Sequence, residues 1–82
     1  MSGKVFVSRL SFFTTTKRLK ALFSPFGAVT DANIVIDGKT GRPKGFGFVT
    51  YESQTQAEKA IKVMNGRFVD GRLIFVAPAK GQ

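Results

Sequence analysis

Hydrophobic and polar residues alternate along four short segments of the chain, while two other segments carry apolar residues at helical spacing. The alternation predicts strands near residues 4–10, 29–36, 45–51 and 73–77. The helical spacing predicts helices near residues 15–24 and 54–64. Thr14-Thr15 and Ser53 stand where N-caps are expected. The predicted order of elements is βαββαβ.

This order is typical of an α+β fold, the ferredoxin-like sandwich, in which two helices pack on one face of a four-stranded antiparallel sheet. The 82 residues are expected to form one domain, residues 1–82. A chain this short buries only about 60–65% of its unfolded surface, so two helices can cover one sheet face and not both.

The alternation divides the strand residues between the two faces of the sheet. One set is almost purely apolar and is expected beneath the helices: Val5, Val7, Ala32, Ile34, Ile36, Gly47, Val49, Tyr51, Ile74 and Val76. The other mixes rings with polar groups: Lys4, Phe6, Ser8, Asp31, Asn33, Val35, Phe46, Phe48, Thr50, Leu73, Phe75 and Ala77. We expect this mixed face to be open and to expose an aromatic cluster formed by Phe6, Phe46, Phe48 and Phe75. In the alternative, an inverted register, the rings form the core and polar residues such as Asn33 are buried.

The composition narrows the classes of function. The chain contains no cysteine and no histidine and only five acidic residues, so we expect neither an enzyme nor a metal site, and no cofactor. No apolar run approaches the roughly 18 residues of a membrane span, so no membrane contact is expected. The net charge of +8 favours a polyanionic partner, although charge alone does not distinguish RNA, DNA and acidic lipid.

Two sequence motifs lie on the strands that carry the rings. Residues 44–51 read Lys-Gly-Phe-Gly-Phe-Val-Thr-Tyr and fit the RNP1 pattern at all eight positions. Residues 5–10 read Val-Phe-Val-Ser-Arg-Leu and fit the RNP2 pattern except at Arg9, where asparagine is usual. Over nearly its whole length the chain therefore resembles an RNA recognition motif. The resemblance implies binding of single-stranded RNA, with bases stacked on Phe6 and Phe48, sugars against Phe46 and a phosphate on Lys44.

Three further candidate residues have two interpretations each. Arg9 is expected to turn out to solvent at the end of its strand, where it contacts a phosphate or replaces a hydrogen bond of the usual asparagine. Asn33 reads a base edge or is simply a polar residue on an open strand. Phe75 either widens the aromatic surface or folds over the sheet edge.

The remaining candidate contacts lie on the mixed face, at strand ends and in loops. The cations are interpreted either as contacts for backbone phosphates or as solvated charges, and the resemblance implies base contacts through backbone groups just after the last strand. This set comprises Lys4, Ser8, Arg42, Ala77 and Lys80.

The first predicted helix begins with cations where the family usually has acids. Lys17, Arg18 and Lys20 oppose the helix dipole, at a cost of about 0.3–1 kcal/mol each. This basic patch is interpreted as a second contact for anions, as a docking patch for a protein partner, or as a tolerated surface cost.

Residues 42–48 and 69–76 resemble the plant glycine-rich and organelle-type members of the family. That resemblance implies a role in RNA processing, or in RNA editing or splicing in chloroplasts or mitochondria. We expect an intracellular monomer, in the nucleus and cytoplasm or in an organelle. The alternatives are a protein-interaction member of the same family and a module that binds single-stranded DNA.

Overall fold

The structure, a computed structural model, describes residues 3–79. This part of the chain contains two helices and six strands. The helices are α1 (Thr16–Phe23) and α2 (Gln54–Met64), and a short 3-10 turn, Ser24–Phe26, follows α1. The strands are β1 (Lys4–Ser8), β2 (Val29–Ile36), β3 (Pro43–Tyr51), β4 (Phe68–Val69), β5 (Arg72–Leu73) and β6 (Phe75–Pro78).

Four of these strands form one antiparallel sheet in the order β2-β3-β1-β6, with both helices packed on the same face. The central pair is β1 with β3, and its register places Phe6 opposite Phe48. The predicted α+β fold, a four-stranded antiparallel sheet with two helices on one face, is therefore confirmed.

The first strand is shorter than predicted. It ends at Ser8 and not at Leu10, because Arg9 has a φ of 60° and leaves the extended conformation. Leu10 then turns into the core and donates a backbone hydrogen bond of 2.8 Å to the carbonyl oxygen of Gly45. The expectation that Arg9 turns out to solvent is correct, and the left-handed backbone at this residue is the reason.

The predicted last strand, residues 73–77, is divided between two sheets. Asp70 and Gly71 both have positive φ, 51° and 84°, and form the tight turn of a hairpin that pairs β4 with β5. Leu73 belongs to this hairpin and not to the mixed face, which corrects its predicted place. Only β6 continues along β1, and it extends one residue beyond the prediction, to Pro78.

The two faces of the sheet differ as the alternation predicts. The core joins the apolar strand residues to the buried sides of α1 and α2, which carry Leu19, Phe23, Ala57, Ala60 and Met64. Ile36 is an exception: half of its surface is exposed, after a register irregularity between Ile34 and Ile36. The described residues of the mixed face are all half-buried or exposed, so the inverted register is excluded.

Polar contacts at both ends attach α1 to the rest of the fold. At its C-terminal end, the buried Tyr51 hydroxyl donates a hydrogen bond of 2.6 Å to the carbonyl oxygen of Phe23. At its N-terminal end, the Asp70 carboxylate accepts a hydrogen bond of 2.7 Å from the Thr14 hydroxyl and forms an ion pair of 3.1 Å with Arg18. The second contact fixes the β4–β5 hairpin against the start of the helix.

Candidate nucleic-acid interface

Three phenylalanine rings meet at the centre of the open face and form what we call the ring cluster: Phe6, Phe46 and Phe48. The centroid of Phe6 lies 5.6 Å from that of Phe46 and 5.4 Å from that of Phe48, while Phe46 and Phe48 are 6.5 Å apart and meet edge to face. These are ordinary distances for aromatic pairs. Each ring is only half-buried, so the cluster presents ring surface to solvent.

Strand pairing arranges the open face in three rows across the sheet, because residues opposite each other in antiparallel strands share a face. The first row is Asp31, Thr50 and Lys4. The second row is Asn33, Phe48, Phe6 and Ala77. The third row is Phe46, Ser8 and Phe75. Of the predicted site residues, these rows bring together Lys4, Phe6, Ser8, Asn33, Phe46, Phe48, Phe75 and Ala77.

Two cations lie against rings of this face. The Nζ atom of Lys4 is 4.8 Å from the centroid of Phe48, and the guanidinium carbon of Arg9 is 5.7 Å from the centroid of Phe75. Both distances fall within the range of cation–π attraction. The side chain of Arg9, whose φ is positive, thus lies over the Phe75 ring on the edge strand β6.

Phe75 stands apart from the ring cluster. It lies on the edge strand β6, opposite Ser8, with 43% of its surface exposed. Among residues 3–79, ring-to-ring contacts join the three phenylalanines of the ring cluster and do not include Phe75. The predicted four-ring cluster is thus three rings in mutual contact and a fourth ring beneath Arg9.

A cleft of about 430 Å³ opens beside the ring cluster. Its walls are Phe6 and Phe48 on one side and the C-terminal segment 77–79 on the other. The backbone N–H of Ala79 donates a hydrogen bond of 3.1 Å to the carbonyl oxygen of Lys4, which holds this segment along β1. Pro78 and Ala79, together with the predicted Ala77, therefore border the open face.

The β2 side of the face carries an acid next to an amide. The Nδ2 atom of Asn33 donates a hydrogen bond of 3.3 Å to Oδ2 of Asp31, and both side chains are exposed. Next to Phe48 on β3, and on the opposite face of the sheet, is Gly47, where a Cβ atom would lie 2.5 Å from the carbonyl oxygen of Asn33. Glycine is therefore required at this position for β2 and β3 to lie so close together.

The predicted phosphate contacts are spread around the site. Lys44 is exposed at the start of β3, and Arg42 is exposed in the preceding turn, where Asp37 accepts backbone hydrogen bonds from Lys39 and Thr40. Lys4 stands at the opposite end of the central strands, in the first row. Lys80, which was also predicted, lies outside the described residues.

Two exposed rings in the loop between β1 and α1 were not predicted as site residues. Phe12 and Phe13 are 62% and 88% exposed, although loops of this kind usually show polar side chains. The Phe12 ring borders Gly45, with Cε1 3.7 Å from where a Cβ atom of that glycine would stand. The signal in the sequence was an aromatic pair in a Ser/Thr-rich segment directly after a strand. A third exposed ring, Phe68, lies on the β4–β5 hairpin.

The basic patch on α1 is smaller than the sequence suggests. Arg18 is engaged by Asp70, since its Nε and Nη2 atoms donate hydrogen bonds of 3.1–3.4 Å to that carboxylate. Thr15 caps the helix by accepting a hydrogen bond of 3.1 Å from the backbone N–H of Arg18. Lys17 and Lys20 remain as exposed cations of this helix.

Residues 3–79 contain no group of three or more acidic, histidine or cysteine side chains arranged to hold a metal ion. No helix in that part of the chain is both long enough and apolar enough to cross a membrane.

Comparison with known proteins agrees with this geometry. The profile described as RNA recognition motif matches residues 5–74. The chain is 49% identical over 77 residues to the organelle RRM domain-containing protein 6, chloroplastic, of Arabidopsis thaliana, covering 94% of this chain and 42% of that protein. It is 46% identical over 76 residues to the glycine-rich RNA-binding protein 4, mitochondrial, of the same plant, covering 93% of this chain and 56% of that protein. The chain thus spans about half the length of these relatives.

Solved structures also show similarity to this chain. The structure titled Sxl-lethal protein/RNA complex superposes with a TM-score of 0.94 at 32% identity, over 100% of this chain and 49% of that one. The match of the family profile over most of the chain also confirms the expectation of a binding module and not an enzyme. The chain belongs to the RNA recognition motif family, among plant organelle and glycine-rich RNA-binding relatives.

Proposed function

We propose that this chain binds short single-stranded RNA across its open sheet face. One base stacks on Phe6 and the next on Phe48, with the sugars between them against Phe46. The observation that carries the proposal is the ring cluster itself: three phenylalanine rings within 6.5 Å of one another on the sheet face opposite the two described helices. Stacking on an aromatic side chain contributes about 1–3 kcal/mol per base and tolerates many sequences.

The cleft beside the rings has the right position to hold the base that stacks on Phe6. It is lined by Phe6, Phe48 and the segment 77–79, so a base stacked on Phe6 is held from the side by the backbone of that segment. The backbone groups near Ala77 then contact the base edge. Phe75 and Ser8, in the third row, border the adjacent sugar or base.

Phosphates are neutralised by cations at both ends of the central strands. Lys44 and Arg42 serve the end near the β2–β3 turn, Lys4 serves the other, and Lys80 adds a further charge. Arg9, held over Phe75, reaches a phosphate at the sheet edge. The net charge of +8 adds a sequence-independent attraction that weakens as the salt concentration rises.

The exposed loop rings extend the surface beyond the sheet. Because Phe12 borders Gly45, next to Lys44, an RNA that leaves the sheet at this end passes the β1–α1 loop. Phe12 and Phe13 then offer stacking to a further nucleotide.

The experiment that tests the proposal removes two rings of the cluster. Phe46→Ala with Phe48→Ala should abolish most binding of a pentanucleotide RNA, measured by fluorescence anisotropy at fixed salt. Phe68→Ala is the matched control, because it removes an equally large exposed ring from the β4–β5 hairpin, away from the ring cluster. Circular dichroism checks the fold of each variant. Unchanged affinity of the folded double variant would reject stacking on these rings.

The relatives suggest where the chain acts. Two of them are named as chloroplastic and mitochondrial proteins, and one of these is named an RNA-binding protein. We place this chain in RNA processing inside the cell, in editing or splicing if its compartment is an organelle. Single-stranded DNA is the competing ligand, because base stacking does not inspect the 2′-hydroxyl. A DNA oligonucleotide of the same sequence in the binding assay distinguishes the two.

A second function, docking of a protein partner on α1, is supported by the exposed Lys17 and Lys20. Both lie on the helix that packs against the covered side of the sheet, so a partner there would not compete with RNA on the open face. Lys17→Glu with Lys20→Glu tests this function and leaves the Arg18–Asp70 ion pair in place. Unchanged RNA affinity with loss of an acidic partner protein in pull-down is the expected result.

A further inference from the structure

The acid on β2 needs an explanation, because an RNA-binding surface gains nothing from repelling phosphates. Asp31 and Asn33 are alternate residues of one strand and so share the open face, where they contact each other at 3.3 Å. Each lies beside a residue of β3 on that face: Asp31 beside Thr50, and Asn33 beside Phe48.

The contact fixes which way the amide points. An ionised carboxylate can only accept hydrogen bonds, so the NH2 group of Asn33 must face Asp31. The amide oxygen of Asn33 is therefore turned away from the acid. The lone pairs of the carboxylate and this oxygen together make the β2 side of the open face rich in hydrogen-bond acceptors.

This acceptor-rich edge stands beside the Phe48 ring. Opposite residues of an antiparallel pair have Cβ atoms only about 4.5–5.5 Å apart. Gly47 keeps β2 and β3 in close contact at this point, since a Cβ atom there would strike the carbonyl oxygen of Asn33. A base that lies flat on Phe48 consequently presents one of its edges to Asn33 and Asp31.

We propose that Asp31 and Asn33 read this edge and select guanine for the position on Phe48, an inference that rests on the proposed function. Guanine carries two adjacent donors on its pairing edge, N1–H and the N2 amino group, which match a carboxylate. Adenine and cytosine place an acceptor next to their amino group, and that acceptor faces the carboxylate unfavourably. Uracil offers a single donor between two acceptors.

The test uses uridine pentanucleotides with a single guanosine at each position in turn, and the same set with inosine. At one position guanosine should improve affinity about tenfold over uridine, as expected of a bidentate contact to a base. The affinity for inosine, which lacks the N2 amino group, should fall between the affinities for guanosine and uridine. Asp31→Asn should remove the preference while raising affinity for all-uridine RNA, because a negative charge is lost from the open face.

The matched control is Glu58→Gln, which removes the same charge from the exposed side of α2, on the covered side of the sheet. It should leave the guanosine preference intact. Binding of all the oligonucleotides with equal affinity, or an undiminished guanosine preference in Asp31→Asn, would overturn this inference and leave the proposed function standing. Failure to bind any of them would overturn the proposed function and this inference with it.

Discussion

The ammonium group of Lys4, a residue of the first row, lies 4.8 Å from the centre of the Phe48 ring in the second row. In the proposed complex, a base stacked on Phe48 would bring its phosphate towards this cation. The same side chain is therefore in position to attract the ring and to neutralise the backbone of a bound strand.

Lys4→Gln should weaken binding of every RNA sequence to a similar extent, because a phosphate contact carries no base information. The plot of log affinity against log salt concentration should become shallower by about 0.7 for one lost contact to a single strand. Lys59→Gln, on the exposed side of α2, is the control and should change neither quantity. An unchanged salt slope in Lys4→Gln would mean that Lys4 makes no phosphate contact.

The loop rings should matter for longer RNAs and not for the shortest ones. Phe13 is almost fully exposed, so Phe13→Ala should change the free energy of unfolding by less than about 0.5 kcal/mol. Combined with Phe12→Ala, it should weaken binding of a decanucleotide while leaving a pentanucleotide nearly unaffected, as measured by titration calorimetry. Equal losses for both lengths would place these rings on the central site instead of on its extension.

The buried hydroxyl of Tyr51 should contribute measurably to stability. Its bond of 2.6 Å to the Phe23 carbonyl is enclosed by the core, and burial raises the pKa of Tyr51 above its ordinary value. Tyr51→Phe should lower the free energy of unfolding in urea by about 1 kcal/mol, as expected for one buried hydrogen bond.

Thr30→Val offers the comparison for Tyr51→Phe, because it removes a similar hydroxyl-to-carbonyl bond of 3.2 Å in an exposed position. Its effect should stay within about 0.5 kcal/mol. If both variants lose the same stability, burial does not explain the contribution of Tyr51.

The anchor of the β4–β5 hairpin should depend on pH. The hydrogen bond from Thr14, and then that from Arg18, holds the pKa of the Asp70 carboxyl below its ordinary value. Because that pKa is lower in the folded protein than in the unfolded chain, the anchor stabilises the fold above the unfolded value, about 3.9. This contribution is lost as the pH falls through the folded pKa.

Thermal unfolding measures this dependence. Asp70→Asn should unfold at a lower temperature than the wild type at pH 7, and the two melting temperatures should converge as the pH is lowered towards about 2. Thr14→Val, which removes the hydrogen bond that lowers the pKa of Asp70 most, should show a smaller loss of stability on acidification than the wild type. A constant difference between wild type and Asp70→Asn across this range would show that the carboxylate charge is not what holds the hairpin.

The ring cluster could be predicted from the sequence because strand periodicity alone assigns Phe6, Phe46 and Phe48 to one face. The Asp70-Gly71 pair is typical of a tight turn, but the hairpin strands could not be predicted, since β4 and β5 have two residues each and are too short to show a periodic pattern. Arg9 was a different case. Its left-handed backbone shortens β1, and without a glycine at that position the sequence carries no signal for it.

Contacts between side chains were the other limit. The bond between Asp31 and Asn33 depends on rotamers, and the alternation places both residues on the open face without indicating that they touch. Phe12 and Phe13 lie in a loop, where periodicity does not apply. Their exposure follows only from the path that the chain takes after Arg9.

The spacing of the rings has a consequence for the RNA itself. The centroids of Phe6 and Phe48, the two rings proposed to stack bases, are 5.4 Å apart, close to the separation of opposite residues in an antiparallel pair. Successive nucleotides in a helical stack rise only about 3.4 Å, so neighbouring bases that lie on these rings must separate from each other. If the proposed function holds, the protein would bind the stretched form of an RNA and would compete with hairpins that hide the same bases. By mass action, binding of that form shifts the folding equilibrium of the RNA towards its melted state.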